Sequence, residues 1–137
     1  MRTLHTQTQV VAALNYAVRK DNEATAGIAV DTALYGNNFR DVLFVIHTGT
    51  ITDGTHTVTV EESSVSNDEF AAVESWRVQG ALPAIVAAND NAVFQFGVRP
   101  TKRYVRIVVT DASSTDGGAI GAVALLGSGG NNPVARS

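Results

Sequence analysis

The sequence predicts an all-β domain, built as an antiparallel sandwich or a barrel. Three observations predict it. Short runs rich in Val, Ile, Thr and aromatic residues recur along the chain. Turn signals made of Gly, Asn, Asp and Pro separate them at regular spacing. No long apolar pattern of helical period is present, and no internal repeat points to a propeller or solenoid.

In chain order, residues 1–9 are polar, without period, and read as an arm. Residues 10–19 fit two patterns. Alternation puts Val10, Ala12, Leu14, Tyr16 and Val18 on one strand face, while helical spacing aligns Val10, Leu14, Ala17 and Val18. The β-rich context favours the strand. Residues 26–31 form a short strand with Ile28 and Val30 on one side, and Tyr35-Gly36-Asn37-Asn38 is a turn. Residues 42–46 are continuously apolar and β-branched, so they read as a strand covered on both faces. A polar loop follows and ends at Asp53-Gly54. In residues 55–61, Val58 and Val60 face in and Thr57, Thr59 and Glu61 face out, which predicts a hairpin with 42–46.

Ser66-Asn67-Asp68-Glu69 matches a capping box, so 67–74 is open between a short helix and a strand that packs Phe70 and Val73. Residues 82–86 are apolar, and Pro83 marks an edge. Phe94, Phe96 and Val98 alternate onto one face. Beyond a turn at 99–102, Val105, Ile107 and Val109 point one way and Tyr104, Arg106 and Val108 the other. Residues 119–126 are the last strand, and 127–137 a Gly/Asn/Pro tail without a core-forming pattern.

Composition narrows the function classes. A hydrophobic content of 45% in 137 residues suits one domain, residues 1–137, with its own core. The net charge of −3 lacks the basic surplus of a general nucleic-acid binder. The absence of cysteine removes disulfides, thiol catalysis and Cys-ligated metal. Residues 1–7 hold no apolar export core, and no apolar run approaches the roughly 18–20 residues of a membrane span. The expectation is a soluble protein made in the cytoplasm, with no membrane partner.

Chemistry is sparse. His47, Asp53 and His56 flank one loop, but their spacing matches no recognised metal site, and His56 reads more simply as a hydrogen-bonded structural histidine. No nucleophile elbow is present. Glu61 and Glu62 are neighbours on a strand, so they face opposite ways and cannot share an acid–base site. Gly127-Ser128-Gly129-Gly130 lacks the Lys and the helix of a phosphate loop. No enzyme activity and no cofactor are expected. Arg99, Lys102, Arg103 and Arg106 cluster with Tyr104 in an otherwise acidic chain. They read either as a solvated edge that discourages aggregation or as a docking patch. Trp76, the single Trp, reads as a core residue ahead of an exposed anchor.

Lys102-Arg103-Tyr104-Val105-Arg106-Ile107-Val108-Val109 is followed by Gly121-Ala122-Val123-Ala124-Leu125-Leu126-Gly127 and a Pro133-Val134 tail. Upstream, Phe39-Arg40-Asp41-Val42-Leu43-Phe44-Val45 leads through Asp53-Gly54-Thr55-His56 to Val58-Thr59-Val60-Glu61-Glu62-Ser63. In order and spacing these runs resemble the head decoration, or cement, proteins of tailed bacteriophages, in particular the jelly-roll cement proteins of podoviruses. The resemblance covers the chain from about Phe39 onward and rests on strand motifs. It implies a jelly-roll-like antiparallel β-sandwich with a mobile N-terminal arm and C-terminal tail. It also implies a structural virion protein on the outer surface of an icosahedral capsid, cementing neighbouring copies of the major capsid protein as a dimer or trimer. Contacts are then expected at Arg99, Lys102, Arg103, Tyr104 and Arg106 and at Asn131, Asn132, Pro133 and Val134 in the tail. On that view, deleting residues 128–137 weakens shell binding and spares the fold. The alternative is a carbohydrate- or receptor-binding jelly roll of a phage tail or spike, with a small β-fold hydrolase or isomerase third.

Overall fold

The structure is a computed structural model that describes residues 2–136. Met1 and Ser137, the outer ends of the expected arm and tail, lie outside the described residues. The strands are β1 (Gln9–Arg19), β2 (Ala24–Ala26), β3 (Val30–Asp31), β4 (Asp41–Ile51), β5 (Thr55–Ser63) and β6 (Ala71–Ala72). They continue with β7 (Val78–Gln79), β8 (Ala84–Ile85), β9 (Val93–Val98), β10 (Tyr104–Ala112) and β11 (Gly118–Gly127). One short helix, α1 (Leu4–Gln7), precedes them.

The pairing is nested. β1 pairs with β11, β2 and β3 with β10, β4 with β9, and β5 with β6 and β8, all antiparallel. Successive nested pairs fall in opposite sheets. One sheet has the order β1-β11-β4-β9-β7; the other has β2-β10-β5-β6, with β3 beside β10 and β8 beside β5. A nested antiparallel ribbon wound over two facing sheets is the jelly-roll sandwich.

The core lies between the sheets. Val42, Phe44 and Ile46 of β4 and Phe96 and Val98 of β9 meet Val58 and Val60 of β5 and Val105, Ile107 and Val109 of β10. Phe44 and Phe96 stack with ring centroids 5.4 Å apart. In β5, β9 and β10 the predicted inward residues are the inward residues, because each strand keeps its register and turns one face to the core.

Several expectations change. β4 and β5 do not form a hairpin: β4 runs on to Ile51, and the chain then crosses to the other sheet through Gly54 at φ +84°. β4 is buried on one face only, since Leu43 and Val45 are half-buried on the outside. β1 is a strand, but register shifts between Ala12 and Leu14 and between Leu14 and Ala17 break its alternation. Ala13 and Leu14 are both buried, while Val10, Tyr16 and Val18 are exposed. Residues 67–74 form neither a helix nor a full strand; Glu69 takes φ +62°, and only the two residues of β6 pair. Val73 is nonetheless buried. Trp76 is 76% exposed rather than core.

The two ends meet. Thr3 caps α1. The Arg136 guanidinium donates to the carbonyls of His5 and Thr8, and the Val134 amide donates to the Thr6 carbonyl. The Asn37 side chain donates to the Ala135 carbonyl and accepts from the Ala135 amide. Val134 is buried within the core cluster, so the tail does contribute a core residue.

Candidate functional surface

The basic patch expected from the sequence lies on the turn after β9 and the start of β10, and its arginines are paired. Arg103 binds both oxygens of Asp31 from β3, at 2.8 and 2.9 Å, and packs 5.1 Å from the centroid of the Tyr104 ring. Arg106 binds Glu61 of β5 at 3.0 Å, with its guanidinium 3.9 Å from the Phe70 ring centroid. Arg99 reaches Asp41 of β4 at 3.3 Å. Lys102 is exposed. Cross-strand carboxylates therefore neutralise most of the patch, and it is no free cationic site. In the tail, Asn131, Asn132 and Pro133 are exposed, with Asn131 donating to the Gly36 carbonyl at 3.4 Å. Val134 faces the core instead of solvent. Tail and patch share the Asp41 carboxylate, which accepts from the Ser128 hydroxyl at 2.7 Å and from Arg99 at 3.3 Å.

The loop histidines and Asp53 have structural partners. His56 is fully buried, its Nδ1 2.7 Å from Asp111 and its Nε2 3.2 Å from the Asp53 carbonyl oxygen. Asp53 accepts from the backbone amides of Thr115, Asp116 and Gly117. Those bonds, the Thr115 amide foremost, hold its carboxyl below the usual range. His47 lies on the outside of β4. Among the described residues no three metal-ligating side chains converge.

One buried ion pair left no trace in the sequence pattern. Arg77 binds Glu62 through two bonds of 2.6 and 2.9 Å, each side chain 5% exposed. Thr101 adds its amide and hydroxyl to the same carboxylate. Burial pushes the Glu62 carboxyl up, but the bonds from Arg77 and Thr101 together bring it below its ordinary value. This cluster ties the Trp76 turn to β5 and to the turn before β10. Trp76 itself stands outward, its indole N–H donating to Glu74 at 2.6 Å.

Among the described residues, an extended surface that no other element covers is the outer face of the five-stranded sheet. Residues directly opposite in antiparallel strands share a face. One row runs Val10, Leu125, Leu43, Gly97 and Gln79 across all five strands. The next runs Ala12, Val123, Val45 and Gln95, and a third places Gly121 and Val93 beside His47. The first two rows contain no Asp, Glu, Lys or Arg. Tyr16 lies across Gly121 and Gly49: a Cβ at Gly121 would crowd its Cα and Cβ, and one at Gly49 would displace its hydroxyl. Two shallow depressions mark the face. One, of about 340 Å³, is lined by Leu4, Leu43, Gly97 and Leu125; the other, of about 380 Å³, by Tyr16, Val45, Gly121 and Val123. Period-two reading of β4 and β11 alone did not separate this face from a second buried one.

No family model and no curated protein matches the chain. Solved structures do. The PBSX exported protein XepA superposes on 100% of this chain with a TM-score of 0.62 at 17% identity. The chain has the fold of part of XepA. It spans 42% of that protein, less than half its length. The SPBc2 prophage-derived protein YomS aligns with 87% of this chain and 91% of its own at 10% identity, TM-score 0.48. A chain of infectious bursal disease virus, Gx strain, aligns with 93% of this chain and 34% of its own, also at 10% identity, TM-score 0.47. At these identities the XepA likeness is one of fold.

Proposed function

We propose that this chain is a structural protein of a phage particle that binds the outer surface of the icosahedral capsid and cements neighbouring copies of the major capsid protein. The observation that carries the reading is the broad uncharged outer face of the five-stranded sheet. Apolar area removed from water stabilises association by about 25 cal/mol per Å². An extended face of this kind, on a sandwich whose polar clusters are tied into its own framework, suits assembly better than catalysis. The strand motifs that resemble phage cement proteins point the same way, and so does the fold shared with XepA of PBSX. Repetition over a closed shell lets each contact be modest, because avidity multiplies weak contacts. The partners on this reading are the major capsid protein and further copies of the chain itself, with synthesis in the host cytoplasm and residence on the virion exterior.

The test is co-sedimentation of the purified protein with mature shells that lack it, followed by cryo-microscopy of the decorated particles. Density on the shell exterior is the expected result; failure to bind any shell overturns the reading. Trp76 favours a second one, a carbohydrate- or receptor-binding module, because its indole is exposed and held by a hydrogen bond to Glu74, which leaves an aromatic face open to a ligand. Glycan-array binding that Trp76→Ala abolishes would establish it, and a blank array would remove it.

A further inference from the structure

We propose that the exposed turn between β6 and β7 anchors a cationic side chain, Arg or Lys, of the partner protein, held between the Trp76 ring and the Glu74 carboxylate. This rests on reading the chain as a protein that binds the capsid shell, and it names the chemistry the shell presents at one point. The turn leads into β7, the strand at which the order of the five-stranded sheet ends. Neither Glu74 nor Trp76 belongs to the rows of the outer face.

Charge is the first argument. Two carboxylates, Glu62 and Glu74, share one guanidinium here. Arg77 gives Glu62 bonds of 2.6 and 2.9 Å inside the protein and approaches Glu74 only to 3.9 Å. Arg99, whose amide donates to the Arg77 carbonyl, turns its own guanidinium to Asp41. Among the described residues Glu74 has no other cationic partner, and its side chain is 64% exposed. The turn therefore presents a carboxylate whose charge the fold leaves largely uncompensated.

The ring is the second. A cation over an indole face is attracted by the ring quadrupole, and Trp is the strongest side chain for this contact. Trp76 is exposed, and its indole N–H donates to Glu74 at 2.6 Å, so the carboxylate stands at the edge of an open ring. One such bond leaves further lone pairs on the carboxylate for a guanidinium or an ammonium. The Arg77 guanidinium carbon, 5.9 Å from the ring centroid, makes the same kind of contact from within the chain. A sugar stacked on the indole leaves the Glu74 charge uncompensated, whereas a cation compensates it. A second copy of the chain is a poor source of that cation, because its net charge is −3.

The surroundings add an apolar neighbour. Val73, Ser75, Val78, Gly80 and Leu82 line a depression of about 260 Å³ beside the turn. The partner's cation is therefore expected next to an aliphatic residue.

The single Trp makes the site its own reporter. Its fluorescence is followed as acetyl-Leu-Arg-amide is added, and again with acetyl-Leu-citrulline-amide, which keeps the shape without the charge. The arginine peptide is expected to bind about 5-fold more tightly, and added salt to shrink the difference. Glu74→Gln keeps an acceptor for the indole N–H and removes the charge, so it is expected to bring the two peptides level. Equal or absent responses in the wild-type chain overturn the anchor, as does a difference that persists in Glu74→Gln. A response to maltose with none to the arginine peptide also overturns it and supports the sugar reading. On shells, Glu74→Lys is expected to weaken co-sedimentation about 10-fold or more. Glu23→Lys makes the same change of net charge on an exposed residue between β1 and β2 and is expected to leave binding unchanged. Equal binding by the two variants overturns the anchor as a shell contact. Arginine-peptide binding by a wild-type chain that ignores shells overturns the cement reading alone.

Discussion

Arg77 holds a guanidinium 5% exposed against a carboxylate equally buried, with Thr101 completing the carboxylate's bonds. Removing one partner of such a pair strands the other charge, which costs about 3–5 kcal/mol. Arg77→Met is therefore expected to lower unfolding stability by about that amount in a urea titration, while Arg77→Met with Glu62→Leu recovers most of the loss. Additive losses in the double variant would refute this account. The strand pattern correctly separates the faces of Glu61 and Glu62, since alternation is local. It is silent on which partner each carboxylate finds. Glu61 meets Arg106, 45 residues away, and Glu62 meets Arg77 and Thr101. Trp76 shows the same limit: at a tight turn the buried position goes to Arg77, and the Trp faces water.

β10 is the strand most fully legible from its residues. Val105, Ile107 and Val109 alternate, and β5 pairs with it without a register shift from Tyr104 to Ala112. β1 is legible as a strand but not by face, because its two bulges exchange inside and outside. The tail is the opposite case. A lone Val among Gly, Asn and Pro gives no periodic signal, yet Val134 is 6% exposed and its neighbours bond to Asn37 and α1. Val134→Ala is expected to cost about 1–2 kcal/mol from lost burial. Deleting residues 128–137 is expected to cost more and to lower the melting temperature by circular dichroism. An unchanged melting curve for the truncated chain would restore the expectation of a tail that spares the fold.

The sandwich as a whole has an acid limb built into its cross-links. The Arg103 hydrogen bond, foremost, holds Asp31 low; the amides of Thr115 and Gly117 hold Asp53 low; Glu62 ends low despite its burial. A carboxyl with a lowered folded pKa contributes its stability above the unfolded value, about 4, and loses it as pH falls through the folded value. The melting temperature is therefore expected to be flat on the neutral side and to fall below about pH 4. Asp53→Asn is expected to lower stability at neutral pH and to make the acid limb shallower. A melting temperature unchanged from about pH 6 to pH 3 would contradict this.

Residue types and their two-residue period establish an all-β chain, the inward faces of β5, β9 and β10, the edge position of the Pro83 segment and the structural character of His56. These properties depend on neighbours along the chain. Which strands share a sheet, where β1 changes face, which arginines are neutralised and which outer face stays uncharged depend on contacts between residues far apart in sequence, such as Arg106 with Glu61 and Val10 with Leu125. Such contacts form only when the nested ribbon winds into two sheets. The winding lays Val10, Leu43 and Leu125 side by side, and so creates the candidate assembly surface from residues that alternation alone reads as further core.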